Sequence, residues 1–430
     1  MNKIILISLS LLITGSIFGQ KNDKKINILS EKIEHKVIEW RRHLHQNPEL
    51  SNREFKTAKY IEKHLRSLGI TVQTGVAKTG VVGILKGEKP GKVVALRADI
   101  DALPVTERND LLFKSTIKTT YNEKETGVMH ACGHDSHIAI LMGVAEILSQ
   151  MKSDISGTVK FIFQPAEEGV PKGEEGGAKM MVKEGVLKNP DVDAIFGLHI
   201  AAGLNSGQIN YRPGGIMAAS QAYEINVSGK QAHGSRPWAS VDPIVASVQI
   251  INGLQTIISR ESELTKEGAV ITVGMINAGI RNNIIPEKAT IIGTIRTLDY
   301  GMQDFINKRM QEMVPGIAKA FRAEATIDID EGYPITFNHL ELTSQMLPTL
   351  QRIASTENVI EIDAITGAED FSFFQQKIPG LYFFLGGKPS HIKPGGVLEG
   401  HHTPQFLLDE SSFILGVRTL SALALDYLEQ

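Results

Sequence analysis

Residue types that bind metals crowd into one short stretch, His130-Ala131-Cys132-Gly133-His134-Asp135-Ser136-His137. Such a run is improbable as surface decoration, although a polar helix cap is the bland alternative. Cys132 and His134 are two residues apart, so an extended or turning backbone can aim both to one side. Gly133 between them permits close backbone approach to an ion, and a following helix N-terminus would help hold the thiolate. Glu167 and Glu168 stand side by side in Gln164-Pro165-Ala166-Glu167-Glu168-Gly169. Adjacent carboxylates face different directions, so one can hold a metal while the other reaches a water on that metal. A Glu pair alone is usually solvated loop; this one directly follows the apolar run Val159 to Phe163. His199 closes the run Ala194 to Leu198, where a lone histidine more often reads as a satisfied core residue. Asp99 and Asp101 end another run, and His401-His402-Thr403-Pro404 supplies two further imidazoles near the C-terminus.

Thiolate, imidazole and carboxylate together suit zinc or manganese, with cobalt or nickel as alternatives. Five or more candidate ligands are too many for one tetrahedral ion and suit two divalent ions. Such a pair, roughly 3.5–4 Å apart, can share a bridging hydroxide, lower its pKa to about 7 and polarise a carbonyl. A free glutamate then takes the water's proton and returns it to the leaving nitrogen. That is amide hydrolysis without a covalent intermediate.

The elements that must place these groups are legible as hydrophobic patterns. Residues 26–70 read as helical, interrupted at Asn47-Pro48 and ended by Gly69. Val81 to Leu85, Val93 to Leu96, Val159 to Phe163 and Ala194 to Leu198 read as strands. The last three are continuous apolar runs, as expected of strands buried on both faces. A helix from Ile138 to Met151 keeps Ile140, Val144, Ile147 and Leu148 on one face. Alternating buried strands and helices predict a three-layer α/β catalytic domain, with its ligands at the carboxyl ends of the strands. From residue 214 the texture changes. A strand at Ala222–Val227, a helix at 242–260, strands at 269–276 and 289–296, a helix at 304–321 and a strand at 325–329 follow one another. This β-α-β-β-α-β order is ferredoxin-like (α+β). The expected organisation is a signal peptide at 1–20, a metal-binding catalytic domain at 21–213 and 336–430, and an inserted dimerisation or lid domain at 214–335. Leu381 to Leu385 and a helix from Ser411 complete the catalytic domain.

These segments resemble the amidohydrolase branch of the metallo-aminoacylase and metallocarboxypeptidase clan, which includes hippurate hydrolases, indole-acetyl-amino-acid hydrolases and N-acyl-amino-acid amidohydrolases. The match runs from Arg42-His43-Leu44-His45 through the 130–137 cluster to His402-Thr403-Pro404. The resemblance implies Cys132, His134, Glu168, His199 and His402 as ligands of two metal ions, and Glu167 as general base and acid. His402 rather than His401 directly precedes the Thr-Pro pair, as the family's ligand does. The same likeness implies His233 at the developing oxyanion and Asn283 and Arg296 at the substrate's carboxylate, with dimerisation through the inserted domain. Asp99, Asp101 and Asp135 are expected to support the ligands. The relatives' Asp-rich turn reads Ala219-Ser220-Gln221 here, so substrate preference does not transfer from any one relative.

Bulk properties bound the remaining possibilities. A chain of 430 residues with 42% apolar content can bury a large core. A formal net charge of −3 and no long basic run argue against nucleic-acid or polybasic membrane partners. Lys3, the apolar run Ile4 to Ile13 and the residues Ser16 to Gly19 form a secretory signal pattern, too short for a comfortable span. The expected location is therefore periplasmic or secreted, with a mature chain off the membrane; an uncleaved anchor is the alternative. Cys132 is the sole cysteine, so no internal disulfide can form. The leading expectation is a homodimeric enzyme acting on N-acyl amino acids. A dinuclear dipeptidase or carboxypeptidase and a non-catalytic secreted metal- or peptide-binding protein are the competing readings. The intact Glu167 argues against the last.

Overall fold

The computed structural model describes residues 2–390 and 399–430, with backbone alone for 2–21. The expected export signal at 1–20 thus lies outside the fully described residues. The chain divides into two compact units, one of Met1–Gly214, Phe337–Ile362 and Phe373–Gln430, the other of Gly215–Thr336 and Asp363–Ser372.

The larger unit is built on an eight-stranded mixed sheet. Its strands lie in the order Thr71–Val76, Gly80–Lys86, Ser156–Gln164, Lys89–Asp99, Ala194–Asn205, Gly380–Lys388, Ile209–Tyr211 and Val359–Glu361. The four strands from Ser156–Gln164 to Gly380–Lys388 run parallel. They include the apolar runs that lacked polar alternation, which is what burial on both faces requires. Register matters here more than extent. Asp99 pairs with Gln164, Arg97 with Gly197 and Phe384 with His199. Asp99 and Gln164 therefore close their strands level with each other, while His199 stands midway along Ala194–Asn205 at the same height in the sheet.

Helix His134–Gln150 differs from the one-sided amphipathic helix the sequence suggests. Every residue from His134 to Leu148 except Glu146 is buried. Helices Asn2–Gln46 and Phe413–Leu428 and the sheet all pack against it, and an apolar helix enclosed all round is a core helix. Among the described residues no helix is long and apolar enough to cross a membrane.

The smaller unit carries strands Ala219–Ser228, Ala269–Ala278, Lys288–Thr297 and Glu324–Ile329 with helices Pro243–Thr256 and Tyr300–Ala320. All its sheet pairings are antiparallel, with Ala269–Ala278 and Glu324–Ile329 at the edges. This is the ferredoxin-like arrangement. Asp363–Ser372 lies between residues expected in the catalytic domain, yet it groups with this unit. The reason is backbone bonding: the Ala218 amide donates to the Ile365 and Gly367 carbonyls, at 3.1 and 2.9 Å. Sequence order alone could not show that return.

Candidate metal centre

Cys132 sits where chain direction is tightly constrained. Gly133 has φ +96°, and a Cβ there would stand 2.6 Å from Ile200 Cγ2. Only glycine fits both the left-handed backbone and the close approach, so the turn delivers Cys132 on one side and starts the helix at His134 on the other.

The sulfur is the meeting point of the site. His199 Nε2 lies 3.4 Å and His402 Nε2 3.3 Å from Cys132 Sγ. His402 Nε2 is also 3.2 Å from Glu168 Oε1. Cys132, His134 and Glu168 place one ligand atom each within 4.8 Å of one another. The structure thus gathers the five sequence-predicted ligands into one cluster, with Glu167 Oε2 3.9 Å from His134 Nε2.

Tautomers follow from what holds each ring. The Nδ1–H of His199 donates to the Ile200 carbonyl at 2.7 Å, leaving the Nε2 lone pair facing the sulfur. His134 likewise donates Nδ1–H to the Asp101 carbonyl at 2.9 Å, with Asp101 Oδ1 at 3.3 Å, leaving Nε2 toward the site. Metal-binding histidines are oriented in this manner.

His401 and His402 differ in their partners. His401 Nε2 accepts the Ala202 amide at 3.1 Å, and its Nδ1 lies 3.2 Å from the Cys132 carbonyl and 3.7 Å from Cys132 Sγ, so this ring borders the sulfur with both nitrogens already partnered by backbone. Burial pushes this ring's pKa down to about 4. His137, though within the cluster, is similarly engaged: Nδ1 to Asp99 Oδ1 at 2.6 Å, Nε2 accepting the Ile200 amide at 2.8 Å.

The three aspartates act at different distances. Asp101 Oδ2 accepts Ser51 Oγ–H at 2.7 Å and the Glu168 amide at 3.0 Å, so one carboxylate braces both His134 and Glu168. Asp99 bonds His137 and takes Arg97 at 2.7 Å, all fully buried. Asp135 turns away from the ligands. It pairs with Arg41 at 3.0 Å and His45 Nδ1 at 2.7 Å, and its carboxyl, despite burial, is held well below the usual range by them. His45 also reaches Glu107 at 3.2 Å. Glu54, Glu107 and Ser51 had no role in the sequence reading. Isolated polar residues outside an apolar periodicity give no signal of what they will touch.

The donor set fits divalent cations on an observation internal to the site. His134 Nε2 and Glu168 Oε1 are buried, 3.8 Å apart, and neither makes a hydrogen bond. Buried polar atoms are normally satisfied, and a shared cation would satisfy both. Electrostatics agree. Burial opposes charge on His134, but Asp99, Asp101 and Glu168 outweigh it and raise its pKa to about 10. Burial, Glu168 and Glu167 push the Cys132 thiol well up. This is the response of a basin built for positive charge, and a bound ion reverses it for the thiol.

In the smaller unit, His233 and Asn283 come together on a two-stranded ladder, Ala232–His233 against Ile284–Ile285, with the Gly234 amide donating to the Asn283 carbonyl at 2.8 Å. His233 is exposed. Its Nδ1 accepts the Ser235 amide at 3.1 Å and lies 2.7 Å from Ser235 Oγ, so the neutral ring carries its proton on Nε2. Arg296 lies instead in the four-stranded sheet, opposite Ser220 and Val270.

A parallel-centred α/β sheet with a thiol–imidazole–carboxylate cluster at its carboxyl edge defines a metal-dependent hydrolase. The profile of Peptidase family M20/M25/M40 matches residues 95–426, and the chain belongs to that family. It is 42% identical to Thermostable carboxypeptidase 2 of Saccharolobus solfataricus, over 95% of this chain and 98% of that protein. It is 36% identical to IAA-amino acid hydrolase ILR1-like 2 of Arabidopsis thaliana, over 92% of this chain and 86% of that one. Among solved structures, the Bacillus subtilis YXEP protein, a dinuclear metal binding peptidase from the M20 family, superposes with TM-score 0.78. Its sequence identity is 34%, covering 93% of this chain and 99% of that one. The protein is accordingly a metal-dependent hydrolase of amide bonds, in the amidohydrolase branch.

Proposed function

We propose that the protein hydrolyses the amide bond of N-acyl amino acids, with Cys132, His134, Glu168, His199 and His402 holding two divalent ions. The observation that carries this reading is the convergence of four lone-pair donors on Cys132 Sγ, with His134 Nε2 and Glu168 Oε1 lacking any hydrogen bond. Zinc or manganese, when bound, would activate water and polarise the scissile carbonyl. Glu167 takes the proton from the attacking water and hands it to the leaving nitrogen. It is buried directly before Glu168, with Oε2 3.9 Å from His134 Nε2, which supports a role beside the metal ligands. His233, with its proton on Nε2, donates to the oxyanion. Asn283, on the same ladder, and Arg296 recognise the substrate carboxylate.

The protein acts as a homodimer through its smaller unit. Supporting this, strand Ala269–Ala278 is a sheet edge with exposed Val270, Met275 and Ile276, and helix Pro243–Thr256 exposes Ile244, Val245 and Val248. An apolar edge left unpaired is an association surface. The N-terminal pattern at 1–20 makes the mature chain periplasmic or secreted. A second reading, a carboxypeptidase, is favoured by the name of the 42% identical relative. A hydrolysis screen tests between them: N-acetyl, N-benzoyl and indole-acetyl amino acids against dipeptides and longer peptides, with metal content measured. Turnover confined to peptides would overturn the N-acyl assignment.

A further inference from the structure

A buried carboxylate stands behind the turn that carries Glu167. Glu54, at the start of helix Phe55–Ser67, is 0% exposed. Its Oε1 accepts the Ala166 amide at 2.9 Å, and its Oε2 accepts Thr79 Oγ1–H at 2.6 Å. Ala166 has φ +54°, a left-handed conformation unusual for a residue with a Cβ. Such a conformation persists only where surrounding contacts over-determine it. The hairpin turn that supplies Thr79 also closes on the turn sterically. A Cβ on Gly80 would stand 3.0 Å from Pro165 Cδ and 2.5 Å from the Val76 carbonyl.

Two carboxylates therefore grip this turn from either side of Glu167. Glu54 holds the amide before it, and Asp101 holds the amide after it, that of Glu168. We propose that Glu54 is a positioning residue for Glu167: by fixing Ala166 in its left-handed conformation, it sets the direction in which the proton-transferring carboxylate leaves the backbone. The division of labour is specific. Asp101 braces the ligand His134 and the backbone of Glu168, so its loss acts on metal binding. Glu54 touches no ligand, so its loss acts on the proton-transfer step.

The inference rests on Glu167 being the base, and the test keeps the two apart. Glu54→Ala, Glu54→Gln and Glu167→Gln are compared with the wild-type protein at full zinc loading, with kcat, KM, metal stoichiometry and amide exchange at Ala166 all read. Misplacing a catalytic group by about 1 Å can cost on the order of 100-fold, so Glu54→Ala should lower kcat by about 10- to 100-fold. KM should stay within about twofold, because substrate binding is not what was removed. Both ions should remain, and the Ala166 amide should exchange faster. Glu54→Gln should recover most of the rate, since the amide oxygen still accepts from Ala166. A metal-replete Glu54→Ala with wild-type kcat, or a Gln variant as impaired as Ala, would overturn the proposal while an inactive Glu167→Gln leaves the base assignment intact. Full activity in Glu167→Gln would overturn that assignment itself. Should Glu54→Ala not fold, Thr79→Val removes only the anchoring hydroxyl. Reduced kcat with metals retained supports positioning, and an unchanged kcat contradicts it.

Discussion

His134 Nε2 and Glu168 Oε1 face each other across 3.8 Å, both buried and neither hydrogen-bonded. The surrounding carboxylates favour positive charge here, raising the His134 pKa to about 10, and a cation shared between the two atoms would satisfy both. Cys132 Sγ and His402 Nε2 border the same space, which makes the arrangement a cation basin rather than a packing accident.

Cys132→Ser should lower the affinity for at least one ion, because a hydroxyl is a poorer and harder ligand than a thiolate. Metal titration followed by elemental analysis checks this; wild-type affinity in the serine variant would remove the sulfur from the ligand set.

The adjacent histidines should behave differently. His402→Ala should lose metal and activity together. His401→Ala should keep both ions, since its nitrogens serve the Ala202 amide and the Cys132 carbonyl, and should mainly lower thermal stability. Equal metal loss in both variants would contradict the choice of His402.

Removing the proton acceptor without removing a ligand should stop turnover with metals in place. Glu167→Gln is expected to lose about 10²–10⁴-fold in kcat, the usual scale for general acid–base catalysis. Calorimetric metal binding on the same sample should match the wild-type protein.

His45 gives the fold a pH dependence away from the metals. Burial and the neighbouring Arg41 disfavour its charge, but bonds to Asp135 and Glu107 outweigh them and raise its pKa above 6.5. A group raised in the folded state contributes stability that is complete below its unfolded pKa. That contribution is lost as pH climbs through the higher folded value. The unfolding midpoint should therefore fall as pH rises from about 6.5, and His45→Gln should flatten that slope. Parallel profiles for the two proteins would show that His45 is not the origin.

His233→Ala should lower kcat by about 10²–10³-fold, the usual loss for one oxyanion donor, with metal content unchanged. Mixing inactive His233→Ala and Glu167→Gln subunits distinguishes a site shared between chains from one completed within a chain. Recovered activity after verified subunit exchange requires sharing; none means completion within one chain.

Much of this was legible in the sequence because the chemistry sits at the ends of strongly patterned elements. The unbroken apolar run Val159 to Phe163 made the following Glu167 and Glu168 conspicuous, and the same holds for His199 after Ala194 to Leu198. The choice of His402 over His401 rests on the neighbouring Thr403-Pro404 motif; in the structure both rings approach the sulfur, His402 Nε2 at 3.3 Å and His401 Nδ1 at 3.7 Å. What sequence could not reveal was contact made through folding. Glu54 lies 112 residues from Ala166, and no local periodicity connects them. Asp363–Ser372 joins the smaller unit through backbone bonds that carry no side-chain signature. Asp135 belongs to a cluster of ligand types, but Arg41 and His45 claim it.

The central claim is tested most directly by titrating metal-free protein with zinc or manganese while following release of free amino acid from an N-acyl amino acid. The reading advanced here predicts no release without metal and a rate that reaches its plateau at two equivalents per chain. A plateau at one equivalent, or full activity in chelator-treated protein shown by elemental analysis to be metal-free, would contradict it.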